Sequence, residues 1–231
     1  PWVHWPETIC TYIPEDKSLF SCDFFSSHLA TTDLYVTDEA RVYEAAKRYY
    51  AEIMMPFRNV ITKNLEKIGT LDFDTIAPSH GPVYDKPAFI LNAYRDWVSP
   101  QMKNEVVLPY ISMHGSTEAM VKHLIEALTR HNITVHPFDL TATDIGKLAI
   151  ALVDAATLIV GTPTVHMGPH PAVFYAVHLA NVLRPKVRYA AIIGSYGWGN
   201  NVSEQITKSI TDLMPKLKVA VPLLPAVKVS V

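Results

Sequence analysis

From Asn104 onward, short apolar runs alternate with amphipathic stretches. Residues 105–111 (EVVLPYI) read as a buried strand. In residues 118–130, Met120, Val121, Leu124, Ile125 and Leu128 recur at the spacing of one helix face. The same reading predicts strands over 133–138, 158–160 and 189–193, and helices over 143–153, 172–182 and 201–214. Strand-like alternation closes the chain over 219–231. Strands alternating with helices predict an open, doubly wound parallel sheet covered on both faces. The earlier residues are different in texture, rich in aromatics, proline and acidic side chains. There, residues 43–55 place Ala45, Ala46, Tyr49 and Ile53 at helical spacing and predict a packed helix, with Lys47 and Arg48 on its solvated face. The polar, proline-containing stretch 98–103 (VSPQMK) reads as a linker. Two domains follow, residues 1–102 and 103–231. No internal repeat or low-complexity segment is present.

Composition narrows the classes. The 231 residues are 49% hydrophobic and 18% charged, with a net charge of −2 and a pI near 6.6. Without a basic surplus, a nucleic-acid partner is disfavoured. Cys10 and Cys22 cannot form a disulfide framework in a chain this size, which fits a reducing cytoplasm. The longest apolar stretch, 148–160, is too short to span a membrane and is interrupted by Asp154. The opening Pro1-Trp2-Val3-His4-Trp5 has no signal-peptide character. It also lacks Met, so the chain is expected to begin inside a longer protein.

In a doubly wound sheet, ligands sit beyond the carboxyl ends of the strands. After the first strand comes Ser112-Met113-His114-Gly115-Ser116-Thr117-Glu118, directly before a helix. Hydroxyls and helix N-terminal amides can cradle an anion there, although an ordinary Ser/Thr cap explains this loop equally well. No lysine stands in it for a triphosphate, and no G-x-G-x-x-G occurs. After the third strand comes a stiff proline- and glycine-bearing loop, residues 161–171. After the fourth comes Gly194-Ser195-Tyr196-Gly197-Trp198-Gly199. Aromatics between glycines can stack on a flat ring while the backbone approaches it closely. Phosphate donors in one loop and ring walls in two others point to flavin mononucleotide (FMN).

In the first half, three phrases contain metal-ligand chemistry: His4-Trp5-Pro6, Ser21-Cys22-Asp23-Phe24-Phe25 through His28, and Ser79-His80-Gly81-Pro82. Imidazole and carboxylate suit iron, manganese or zinc, and an aspartate can bridge two ions. A satisfied structural histidine is the competing reading for each.

Taken together, these phrases resemble the flavodiiron proteins, in the same order along the whole chain. The resemblance implies an α/β fold: the C-terminal part of a metallo-β-lactamase-like αββα domain, then a flavodoxin-like sheet. It implies that Ser112, His114, Gly115, Ser116 and Thr117, with Met113 among them, hold the FMN phosphate. Thr162, Pro163, Thr164, Val165, His166 and Gly168 would wrap one side of the isoalloxazine, and Ser195, Tyr196, Gly197, Trp198 and Gly199 the other. His4 and His80 would be metal ligands and Asp23 the bridging carboxylate of a non-haem diiron centre, with His28 behind them. His166, Met167 and His170 would shape the donor site or simply be exposed. The family's H-x-E-x-D-H motif, which supplies most other ligands, does not occur in these 231 residues. The chain is therefore expected to be trimmed at both ends and inactive by itself. The resemblance implies an oxidoreductase passing electrons from reduced deazaflavin (as in the methanogen branch) or rubredoxin through FMN to the irons. There dioxygen or nitric oxide is reduced, a detoxification suited to the cytoplasm of an anaerobe. A head-to-tail homodimer, or a tetramer of such dimers, is implied as well. The rival expectation is an FMN-binding electron carrier whose first domain holds no metal, and a zinc hydrolase ranks below both.

Overall fold

A computed structural model of the chain describes residues 3–196 and residue 208. Apart from residue 208, the expected helix over 201–214 lies outside the described residues, as do the strand over 219–231 and Gly197, Trp198 and Gly199. The chain divides into two compact units, Pro1–Gln101 and Met102–Val231.

The first unit builds a three-stranded sheet from β1 (Thr11–Ile13), β2 (Ser18–Cys22) and β3 (Thr75–Pro78), in the order β1-β2-β3. β2 is antiparallel to β1 and parallel to β3. Between β2 and β3 run α1 (Glu39–Tyr49) and α2 (Arg58–Ile68), and α3 (Pro87–Val98) follows β3. Asp38 caps α1 by accepting from the Arg41 amide at 3.0 Å. Glu39 lies in its first turn and Lys47 and Arg48 in its last, each on the favourable end of the helix dipole.

The helix expected over 43–55 does not run through. It begins earlier and breaks after Tyr49 into a π-helical turn, Tyr50–Met54, and a 3₁₀ turn, Met55–Phe57. Pro56 supplies the reason. It has no amide hydrogen, and in a continuous α-helix its ring would meet the carbonyl of Glu52. The two adjacent tyrosines then serve different places. Tyr50 enters an aromatic core, with ring centroids 5.5 Å from Tyr94 and 5.2 Å from Trp97. Phe24 and Phe25 pack edge-on against the same Tyr94, at 5.4 and 5.0 Å.

Among its described residues, the second unit holds four parallel strands, β4 (Lys103–Tyr110), β5 (Thr134–Asp139), β6 (Ala155–Val165) and β8 (Tyr189–Ser195), in the order β5-β4-β6-β8. A two-residue strand, β7 (Gly168–Pro169), turns back antiparallel on the end of β6. The crossovers contain α4 (Ser116–Arg130), α5 (Ile145–Leu152) and α6 (Pro171–Leu183). Val106 and Leu108 of β4 pack with Val121 of α4 and Ile159 of β6. Alternation sends Val107 to the opposite side of the sheet. This unit follows the expected pattern, with one difference. β6 runs well beyond the expected 158–160, because β4 and β8 pair with it on either side and its tip folds into the β7 hairpin. Thr162, Pro163, Thr164 and Val165 are therefore strand residues, and only His166 and Met167 form the turn.

Candidate metal and flavin sites

In the first unit the three ligand-type residues named from the sequence come together. Asp23 stands at the tip of β2, where Cys22 and Phe25 adopt left-handed backbone (φ 53° and 68°) and curl the chain. The Phe24 amide donates to Ser21 O at 3.1 Å, and the Ser21 hydroxyl donates to Phe24 O at 2.6 Å, both closing the curl. One oxygen of Asp23 lies 3.1 Å from His4 Nε2 and the other 3.3 Å from His80 Nε2. Two ligands at right angles on one ion, each about 2.1 Å from it, sit about 3 Å apart. Each histidine–carboxylate pair has that spacing, and Asp23 belongs to both, as a carboxylate shared by two ions must. The donor chemistry and the shared oxygens thus fit two neighbouring ions with two donors apiece. Four to six are needed for each. Among the described residues no group of three or more His, Cys, Asp or Glu is arranged to hold an ion.

His80 is held by backbone, not by its ring. The Ser27 amide donates to His80 O at 3.0 Å and the Ser79 amide to Cys22 O at 2.8 Å, fastening the turn after β3 to the Asp23 loop. Gly81 makes this approach possible: its φ is +86°, and a Cβ there would lie 2.1 Å from Ser27 Oγ and 3.0 Å from Ser27 O. The fully buried Tyr84 braces the loop from below, donating its hydroxyl to Phe25 O at 2.9 Å. Tyr84→Phe is expected to lower the stability of this unit by about 1 kcal/mol, the net worth of a buried hydrogen bond, and to weaken iron uptake; urea denaturation and iron analysis check both.

Two further rings stand beside the site. The exposed His28 ring lies edge-on to His80 at 5.4 Å and to Tyr49 at 4.6 Å. The Tyr49 and His80 rings are 6.4 Å apart. Burial first, and the Asp23 charge second, push the Tyr49 phenol well above the usual tyrosine range. Tyr49 is thus a neutral hydrogen-bond donor at the edge of the site, a role its helical spacing did not announce. Cys10 takes no part: burial pushes its thiol up to about 11, and its Sγ donates to Ser21 O at 3.5 Å.

In the second unit the three loops leave the C-terminal ends of β4, β6 and β8. Gly115, with left-handed backbone, sits at the start of α4, and Ser112 Oγ accepts its amide at 3.1 Å. Ser116 and Thr117 open the helix, whose first amides point toward the loop mouth. Met113 and His114 are exposed there. The Thr117 hydroxyl, buried, meets the Ser195 hydroxyl at 3.0 Å and so joins the first loop to the third. Thr162 Oγ1 donates to Pro163 O at 2.9 Å and accepts the His170 amide at 3.0 Å. Gly194 lies against β6 so closely that a Cβ would stand 2.4 Å from Thr162 O. Buried Thr164 Oγ1 has no partner among the described residues. Buried hydroxyls, a left-handed glycine before a helix and close backbone approach suit a phosphorylated planar ligand. His166 and Met167, both with left-handed backbone (φ 47° and 68°), make the exposed β6–β7 turn, and Tyr196 is exposed after β8.

Comparison with known proteins covers both units. A family model described as ODP family beta lactamase matches residues 1–81. A nitric oxide reductase of Moorella thermoacetica is 35% identical over 209 residues, 88% of this chain and 52% of that protein. Among solved structures, the rubredoxin oxygen:oxidoreductase of the anaerobe Desulfovibrio gigas superposes with a TM-score of 0.87 at 26% identity, over 94% of this chain and 55% of that one. The flavodiiron protein of Giardia intestinalis gives 0.87 at 28% identity, over 96% and 55%. The chain spans about half the length of the relatives it matches. Its fold is that of a β-lactamase-like unit followed by a flavodoxin-like one. By sequence and by fold, the chain is a homologue of the flavodiiron proteins.

Proposed function

We propose that the chain supplies the FMN site and part of the diiron site of a flavodiiron oxidoreductase. The observation that carries this reading is Asp23, whose two oxygens serve two histidines, Nε2 to oxygen at 3.1 and 3.3 Å. His4 and His80 would each ligate one iron and Asp23 would bridge them. FMN would be held by Ser112, Gly115, Ser116 and Thr117 at its phosphate, and by residues 162–168 and 195–199 at its ring. When bound, the two cofactors carry electrons from FMN to a non-haem iron pair that reduces dioxygen to water or nitric oxide to nitrous oxide. The residues of the chain do the rest. The first-turn amides of α4 neutralise the phosphate charge, and the buried hydroxyls of Thr117 and Thr162 hold the ring loops in place. Tyr49, kept protonated, offers a hydrogen bond at the edge of the metal site. We assign reduced deazaflavin or rubredoxin as the electron donor, a head-to-tail homodimer (or a tetramer of these) as the assembly, and the cytoplasm as the location. Among the described residues, no helix is long and apolar enough to cross a membrane.

A second reading, an FMN-binding electron carrier without metal, draws on the shortage of donors at each position. One experiment separates the two. The protein is loaded with FMN and ferrous iron under anaerobic conditions, its iron content is measured, and reduced deazaflavin or rubredoxin is added, then dioxygen or nitric oxide. Stoichiometric FMN with bound iron is the expected result, and turnover is expected only where the remaining iron ligands are supplied. FMN without iron favours the carrier, and no FMN uptake overturns both.

A further inference from the structure

His170 ends the second strand-end loop, and three of its groups are engaged at once. Its ring Nδ1 accepts the Ala172 amide at 3.2 Å and so caps α6. Its carbonyl accepts the Val173 and Phe174 amides at 2.9 and 3.1 Å. Its own amide donates to Thr162 Oγ1 at 3.0 Å, eight residues back along the chain. An amide hydrogen can only be donated, so Nδ1 bears the lone pair and the neutral ring keeps its proton on Nε2. Thr162 is 0% exposed, and its hydroxyl proton is committed to Pro163 O at 2.9 Å. The segment therefore starts and finishes at one buried hydroxyl, where the His170 bond adds to the hairpin pairing of Thr164 with Pro169 and Val165 with Gly168. Between the two ends lie His166 and Met167, both in left-handed backbone that neither side chain favours. A loop bent in this way keeps its shape only if its ends are fixed.

We propose that His170 is a positioning residue for the flavin: it locks the second ring loop into its binding shape before the cofactor arrives. The proposal rests on the FMN reading of this sheet edge. A locked loop spares the ligand the entropic cost of ordering it, so the lock contributes to affinity without any contact from the imidazole to the flavin. Capping is the property required, and asparagine can supply it while alanine cannot. At Thr162, serine keeps the acceptor and valine keeps only the shape.

The test measures FMN affinity by fluorescence quenching, and amide hydrogen exchange at His170 and Ala172 in the FMN-free protein. His170→Ala and Thr162→Val are each expected to weaken FMN binding about fivefold to tenfold and to speed exchange at both amides. His170→Asn is expected to stay within about twofold of wild type. A lock of this kind is overturned if His170→Ala binds FMN and exchanges like wild type, or if His170→Asn is as weak as His170→Ala. A wild-type chain that takes up no FMN overturns the flavin reading and the assigned role with it. In that case the exchange rates still report whether the loop is tied, so the two failures are distinguishable.

Discussion

Gly81→Ala is expected to destabilise the first unit by about 2–5 kcal/mol and to abolish its iron uptake. Left-handed backbone costs a residue with a Cβ about 1–2 kcal/mol, and forced overpacking adds about 1–3. Both apply here, since φ is +86° and the new Cβ would fall 2.1 Å from Ser27 Oγ. The serine hydroxyl can rotate away, but Ser27 O, at 3.0 Å, belongs to the backbone that receives its place from the Ser27–His80 bond. The turn can relieve the crowding only by moving out, and His80 would move with it, away from Asp23. Marginal stability makes a loss of this size large for a small unit. Urea denaturation followed by Trp97 fluorescence, with iron analysis alongside, checks it. Adding Ser27→Ala should recover part of the stability but not the share due to φ. An alanine variant with unchanged midpoint and unchanged iron would show that the turn does not set the histidine.

The second large effect is expected at Gly194→Ala, as a loss of more than tenfold in FMN affinity. Its Cβ would meet Thr162 O at 2.4 Å, and no rotamer can relieve a clash with a carbonyl. Gly194 pairs with Thr162 in the β6–β8 register, one residue before Ser195. Overpacking at this register costs about 1–3 kcal/mol. It pries apart the strand ends that present the second and third ring loops, and it strains the Thr117–Ser195 contact of 3.0 Å. A fluorescence titration reads the affinity, and near-ultraviolet circular dichroism reads whether the sheet closes. Wild-type affinity in this variant would mean that the two loops do not act together on the ligand.

The second unit was readable from its hydrophobic period because its central strands, β4 and β6, are buried on both faces and each helix covers one face. Val106, Val107 and Leu108 form a continuous apolar run for that reason, and Val121, at helical spacing, packs with Val106 and Leu108. The first unit offered no such rhythm. Its strands are three, five and four residues long, too short for alternation to stand out. The break after Tyr49 was not legible either: Pro56 forbids a continuous helix, but nothing local says how the chain accommodates it. His4, Asp23 and His80 were named through a family resemblance, and their spacing alone carried little weight. What the sequence could not show was the fastening, because Ser27 and Gly81 meet only after the strands have paired. Tyr49 was read as packing for a similar reason. Its helical spacing is that of a core residue, and only the fold puts His28 and His80 beside it.

The π-helical turn at Tyr50–Met54 has a consequence for how this part of the chain can vary in length. One residue of α-helix turns through about 100°. Removing a residue from the turn, or adding one, would rotate every later side chain of α2 by that angle against α3 and undo the split between Tyr49 and Tyr50. Loops absorb insertions and deletions; this helical segment cannot. Among homologous chains, gaps are expected to fall in the connections on either side and to leave the stretch from Tyr49 to Pro56 at constant length, a pattern that side-chain identity alone would not impose.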